Sequence, residues 1–151
     1  SEDEWNVQKD VFSKQLSLAE KFNKPVSIHS RKTLPDIFEI LPSYNIPGIL
    51  LHWFDGNKSQ LKTAMDNQYF VSYGPLLVYA NDKQVLLTKT DPSRLLVETD
   101  GPVKFSHCFE YKTTEIMFVP SVIFCASKIL HTSYESLLAQ IEDNSKKFLG
   151  I

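Results

Sequence analysis

Alternation predicts the fold class. Four short β-rich runs, at residues 26–29, 49–52, 69–73 and 94–98, are separated by segments of helical period, the pattern of parallel β/α units in an α/β fold. Three of those runs lead into His29, His52 and Asp100, so polar residues collect at the carboxyl ends of otherwise apolar strands. Size agrees with both observations: 151 residues, 42% of them hydrophobic, suffice for one sizeable core and are too few for two ordinary domains. Residues 1–151 are expected to form a single domain.

Residues 3–22 place Trp5, Phe12, Leu16 and Ala19 on one helical stripe with Lys and Glu between them, and Asn23-Lys24-Pro25 stops that helix. Val26-Ser27-Ile28-His29 is too short for a helix and reads as a strand that turns polar at its end. Residues 33–44 return to helical period through Leu34, Ile37, Phe38 and Leu41, and Ile46-Pro47-Gly48 breaks it before the strand Ile49-Leu50-Leu51-His52. Asp55-Gly56-Asn57 marks a turn, with Asn57 or Ser59 as N-cap for a helix carrying Leu61, Ala64 and Met65. Tyr69 to Tyr73 forms the third strand, 81–90 a short helix, and Arg94 to Glu98 the fourth strand, which runs into Thr99-Asp100-Gly101-Pro102. Residues 103–118 lack a period and read as a long functional loop. Helices over 120–130 and 133–148 close the chain, with Thr132 and Glu135 spaced as a capping box and Gly150 as terminator.

Sixteen basic against eighteen acidic side chains leave a net charge of −2, which excludes a polycation holding nucleic acid by bulk charge; any such contact is local. Cys108 and Cys125 have no C-x-x-C spacing and fit neither a disulfide framework nor a zinc knuckle, so a reduced, cytoplasmic protein is expected. The opening SEDEWNVQKD has no basic n-region or apolar h-region, and no apolar run exceeds five residues, so neither secretion nor a membrane partner is expected.

In a parallel β/α fold the carboxyl ends of the strands share one face, so His29, His52 and Asp100 converge there although seventy residues of sequence separate them. Two imidazoles and a carboxylate suit a divalent ion such as Zn²⁺, Mn²⁺ or Fe²⁺, and a further carboxylate shifts the preference towards Mg²⁺. A single histidine at a strand end is ordinarily a hydrogen-bonded structural residue; the repetition in equivalent places is what favours ligands. Glu98 lies two positions before Asp100, on the same side of the strand, and reads as a support for ligands. Cys108 and Cys125 read as packing residues, since neither has a base at a telling spacing.

The segments Val26-Ser27-Ile28-His29-Ser30-Arg31, Leu51-His52-Trp53-Phe54-Asp55-Gly56 and Leu95-Leu96-Val97-Glu98-Thr99-Asp100-Gly101-Pro102 resemble, in order, motifs of the TatD-type metal-dependent deoxyribonucleases, a branch of the amidohydrolase-like barrels. The resemblance implies a TIM-type (β/α)₈ barrel of which this chain supplies about the second half, strands five to eight with their helices. It also implies hydrolysis of phosphodiester bonds in DNA or RNA ends with two divalent ions per intact site, Mg, Mn and Zn being indistinguishable. His29 and His52 would help hold one metal, while Asp100 would bind the other and act as the catalytic general base towards water. Arg31 suits a phosphate oxygen, Trp53 a pocket wall beside His52, and His107 a substrate contact from the post-strand loop.

Family members also carry a His-X-His pair and a bridging glutamate on earlier strands, and neither lies in this sequence. A complete barrel runs to about 250 residues, so a further segment of roughly 90–110 residues, or a second chain, is expected as partner. Where the family has Asn-Glu-Pro, this sequence has Phe118-Val119-Pro120. Two rival functions stay open: a related metal hydrolase acting on an amide, lactone or small phosphoester, and a non-catalytic half-barrel that binds a partner.

Overall fold

The computed structural model describes residues 2–151. Helix α1 (Glu2–Lys21) begins with Glu2, Asp3 and Glu4 and ends with Lys21, so its side-chain charges oppose the helix dipole at both ends. Asn23 then adopts φ 48°, and Pro25 leads into strand β1 (Val26–His29). Strands β2 (Ile49–His52), β3 (Phe70–Tyr73) and β4 (Leu95–Val97) follow. All neighbours are parallel, in the order β1-β2-β3-β4. Strand order that follows chain order, with no reversal, describes an arc of a β/α barrel and not a doubly wound sheet with a switch point.

Side chains alternate across the sheet, and each side is occupied differently. Ile28, Ile49, Leu51, Val71, Tyr73 and Leu95 enter the main core. That core also receives Leu34 and Ile37 from α2 (Leu34–Ile40), Leu61 and Ala64 from α3 (Lys58–Asp66), and Leu86 and Leu87 from α4 (Asn81–Leu87). Helices α5 (Val119–Ile129) and α6 (Tyr134–Leu149) complete it with Val122, Ile123, Leu137 and Ile141. On the opposite side Leu50, Phe70 and Leu96 form a second, smaller cluster capped by Phe148. Two residues further along the same strands come His52, Ser72 and Glu98, with His29 paired to His52 in register. The inner side thus has an apolar layer below and a polar layer at the carboxyl ends.

Buried Asn144 ties α6 to this sheet. Its Nδ2 donates to the Pro92 carbonyl at 2.7 Å and the Leu95 carbonyl at 2.8 Å, while its Oδ1 accepts from Gln140 Nε2 at 2.9 Å. All three polar hydrogen-bonding directions used here are internal, so a polar residue is accommodated at a site with 0% exposure.

Several boundaries differ from expectation for identifiable reasons. The helix expected over 33–44 ends at Ile40 and tightens into a 3-10 turn (Leu41–Ser43), because Pro42 cannot donate and its ring crowds the preceding carbonyls. Asn57, and not Ser59, caps α3, in a reciprocal box with Gln60: each side-chain oxygen accepts the other's amide at 2.9 Å. The Thr132–Glu135 box does not form. Ser133 is the N-cap and accepts the Ser136 amide at 3.0 Å, which puts Glu135 one position too early to close a box. The inner cluster is buried, while large apolar side chains stay exposed on α1 (Val7, Val11 and Leu18), on α5 (Phe124) and at Ile116 and Met117.

Candidate metal centre

His29 and His52 end neighbouring strands in register, and their rings lie 5.8 Å apart, tilted by 45°. His52 Nδ1 is 2.7 Å from Glu98 Oε2, and its Nε2 is 3.5 Å from Asp100 Oδ1. An ionised carboxylate only accepts, so the first bond carries its hydrogen on Nδ1 and leaves the Nε2 lone pair facing Asp100. That is how outer carboxylates prepare a histidine to bind metal. Glu98 therefore stands behind His52, in the supporting place expected for it. Its Oε2 also accepts from Ser72 Oγ at 2.5 Å, whereas its buried Oε1 has no partner among the described residues.

The donor chemistry fits a divalent cation: an imidazole nitrogen with its lone pair free, an opposing carboxylate oxygen, and a second imidazole beside them. No set of three His, Cys, Asp or Glu side chains among the described residues is gathered closely enough to hold an ion by itself. His52 and Asp100 come together; His29 reaches His52 only. The cause is the arc of the sheet, since β1 and β4 are three strand spacings apart, about 14 Å. Asp100 also lies past the end of β4, in a left-handed turn with φ 53°.

Trp53 follows His52 directly, at φ 46°. Its amide donates to Ser72 Oγ at 3.1 Å and the next amide, of Phe54, to the Ser72 carbonyl at 3.1 Å. These bonds hold the indole edge-on to His52, with centroids 6.5 Å apart, and stacked on Phe105 at 5.4 Å. Arg31 is exposed, two residues past His29. His107, at φ 58°, stacks on Tyr79 at 4.3 Å and meets Ser106 Oγ at 2.8 Å; its contacts are with these residues and not with His29, His52 or Asp100. Residues 103–118 are more ordered than a plain loop, with 3-10 turns at His107–Phe109 and Ile116–Phe118 and an antiparallel bridge between Lys104 and Thr113.

His29 also borders a cavity of about 310 Å³ beside β1, with Trp5, Phe12 and Ile37. The Lys9–Asp36 ion pair in its wall holds the Asp36 carboxyl below the usual carboxylate range. Cys108 and Cys125 are both free thiols, and burial together with Cys108 nearby raises the Cys125 thiol.

Two residues escaped the sequence reading. Ser72 was legible in principle, as the one small polar side chain in an otherwise aromatic and apolar strand, at the phase of His52. Lys83 carried no signal: it is buried and donates to the Phe54 carbonyl at 3.2 Å and Asp55 Oδ1 at 2.5 Å, fastening the turn after β2.

The family model described as TatD related DNase matches residues 1–150. The chain belongs to the TatD family. Among curated relatives, the uncharacterized metal-dependent hydrolase YabD of Bacillus subtilis is 27% identical over 150 residues, covering 97% of this chain and 59% of YabD. The 3'-5' ssDNA/RNA exonuclease TatD of Klebsiella pneumoniae is 26% identical over 95% of this chain and 58% of its own length. Human deoxyribonuclease TATDN3 is 32% identical over 63% of this chain and 35% of its own. The crystal structure of YJJV, the TatD homolog of Escherichia coli, superposes with a TM-score of 0.90 at 20% identity, over 98% of this chain and 58% of that one. The α/β fold with its parallel sheet is thus shared with TatD structures, and the chain spans about three-fifths of its relatives' length. That share exceeds the half expected from the motifs.

Proposed function

We propose that the protein hydrolyses phosphodiester bonds at DNA or RNA ends, as the C-terminal portion of a TatD barrel whose remaining strands come from further chain or from a second polypeptide. One observation carries this reading: His52 is fastened through Nδ1 to Glu98 and turns Nε2 towards Asp100. Membership of the TatD family makes the protein a relative of metal-dependent hydrolases. The printed activities of TATDN3 and the Klebsiella exonuclease support nucleic acid as the substrate.

His52, His29 and Asp100 are the residues of this chain that would hold divalent ions, with two ions in the intact site. Such ions supply Lewis acidity towards a phosphoryl oxygen and acidify water near neutral pH. Asp100, across from His52, orients water and accepts its proton as general base. Arg31 offers a planar fork to a phosphate oxygen at the rim. Trp53 offers a stacking surface to an unpaired base, fixed in place by Ser72 and Phe105. His107 and Tyr79 present a second stacked pair. The free thiols support a reducing, cytoplasmic setting.

The test uses the full-length protein with end-labelled single-stranded oligonucleotides and Mg²⁺, Mn²⁺ or Zn²⁺. The expected result is release of nucleotides that weakens with salt and is lost in His52→Ala and Asp100→Asn. Hydrolysis of amides, lactones or small phosphoesters with oligonucleotides untouched would overturn it, as would the absence of any metal-dependent hydrolysis.

A further inference from the structure

Ser72 sits at a junction. It is 1% exposed, in the middle of the sheet, and has no place in the motifs that mark the site. Its Oγ accepts the Trp53 amide at 3.1 Å and donates to Glu98 Oε2 at 2.5 Å. The same Glu98 oxygen meets His52 Nδ1 at 2.7 Å. A hydroxyl has one hydrogen, and the carboxylate takes it, so the oxygen's lone pair is turned to the Trp53 amide. The direction of every bond in the chain is therefore set: Trp53 N–H to Ser72 Oγ, Ser72 O–H to Glu98, His52 Nδ1–H to Glu98.

We propose that Ser72 is a positioning residue that serves both halves of the site, orienting Glu98 so that His52 keeps its Nε2 lone pair free, and holding Trp53 in its left-handed turn. The inference rests on His52 acting as a ligand, but its structural content does not depend on any metal or substrate. Glu98 has a second oxygen, Oε1, buried without a partner among the described residues. With the Ser72 hydroxyl removed, Oε2 keeps only its bond to His52, so the carboxylate loses one of the two contacts that aim it at Nδ1 and is free to swing away from it. Trp53 faces a related loss. A tryptophan at φ 46° is strained, and a hydrogen bond to its own amide is one of the contacts that hold it there.

The test is nuclear magnetic resonance on the metal-free full-length protein and its Ser72→Ala variant. Imidazole ¹⁵N shifts read the His52 tautomer, and hydrogen exchange reads the Trp53 and Phe54 amides. Wild-type protein is expected to show His52 as the Nδ1–H tautomer. In Ser72→Ala a substantial share of His52 moves to the Nε2–H form, and the Trp53 amide exchanges on the order of tenfold faster, as for loss of one hydrogen bond of about 1.4 kcal/mol. The Phe54 amide, bonded to the Ser72 backbone carbonyl, keeps its protection and serves as an internal reference. Val71→Ala, at a fully buried neighbour pointing to the main core, controls for general loosening of the strand. Should Ser72→Ala not fold, Ser72→Cys retains the side chain's shape with a poor hydrogen-bonding group and gives the same readouts. An unchanged tautomer and Trp53 rate in the Ser72 variant, or equal shifts in Val71→Ala, would overturn the proposal. Neither readout uses hydrolysis, so failure of the nuclease assay and failure of this inference are separate results.

Discussion

Truncating Asn144 to alanine is expected to destabilise the protein by about 2–4 kcal/mol, because the change strands the buried Leu95 carbonyl and also removes the bond to the Pro92 carbonyl. Asn144 is fully buried, and its amide is the donor to Pro92 and Leu95, at 2.7 and 2.8 Å. The orphaned Leu95 carbonyl costs about 1–3 kcal/mol, the lower half of that range if a water enters the vacated space, and the lost bond to the solvent-reachable Pro92 carbonyl adds about 1 kcal/mol. For a domain of this size the loss corresponds to a fall in Tm of about 5–15 °C. The isosteric Asn144→Asp substitution sharpens the test. An ionised carboxylate there would face two carbonyl oxygens with no hydrogen to offer, whereas the neutral acid restores one donor. The introduced group's folded pKa is thereby raised above its unfolded value of about 3.9, so its contribution is present in acid and lost as pH rises through the folded pKa. Urea unfolding at neutral and mildly acidic pH measures both variants against the wild type, with an unchanged m-value as the sign of a common unfolded state. A loss below about 0.5 kcal/mol for Asn144→Ala, within the scatter of surface substitutions, would refute this account of how α6 is tied to β4. So would an Asn144→Asp variant that is relatively more stable at neutral pH than in acid.

Burial pushes the Tyr73 phenol up to about 12, against a weaker lowering by its 2.8 Å bond to Thr90. The unfolded chain ionises near 10, so this tyrosine's contribution is intact below pH 10 and is lost between 10 and 12, by about 2–3 kcal/mol. Tyr73→Phe is expected to be about 1 kcal/mol less stable at neutral pH yet to lack that alkaline loss, as read by denaturant unfolding across pH 8–12. Glu98→Gln is expected to weaken Co²⁺ binding by the full-length protein about 10- to 100-fold in titration calorimetry, since the partner that orients His52 loses its charge. Trp53→Ala is expected to raise KM for single-stranded oligonucleotides about 5- to 150-fold, as for loss of 1–3 kcal/mol of base stacking, and to leave hydrolysis of a base-free phosphodiester unchanged.

The strand ends were the most legible part of the chain. Both histidine-terminated strands occupy the residues that their apolar runs marked, because a four-residue run between Pro or Gly breaks has little choice but to be a buried strand. Helix ends were less legible. Pro42 shortened α2, and the cap of α6 went to Ser133 because two adjacent hydroxyls compete and only backbone geometry chooses between them. Glu98 could be placed behind His52 from strand alternation alone. Ser72 offered only its phase with His52 and Lys83 offered nothing, since their partners lie 26 and 28–29 residues away.

Local chemistry in the sequence determined which residues become strands and which strands end in ligand-type side chains, because periodicity and turn residues act over a few positions. Only the tertiary structure decided distances: that His52 meets Asp100 while His29 stands off, that His107 stacks on Tyr79, and that one serine joins Trp53 to Glu98. Those outcomes follow from the parallel order of the strands and the left-handed turns that close them, and both are set by packing the whole arc at once.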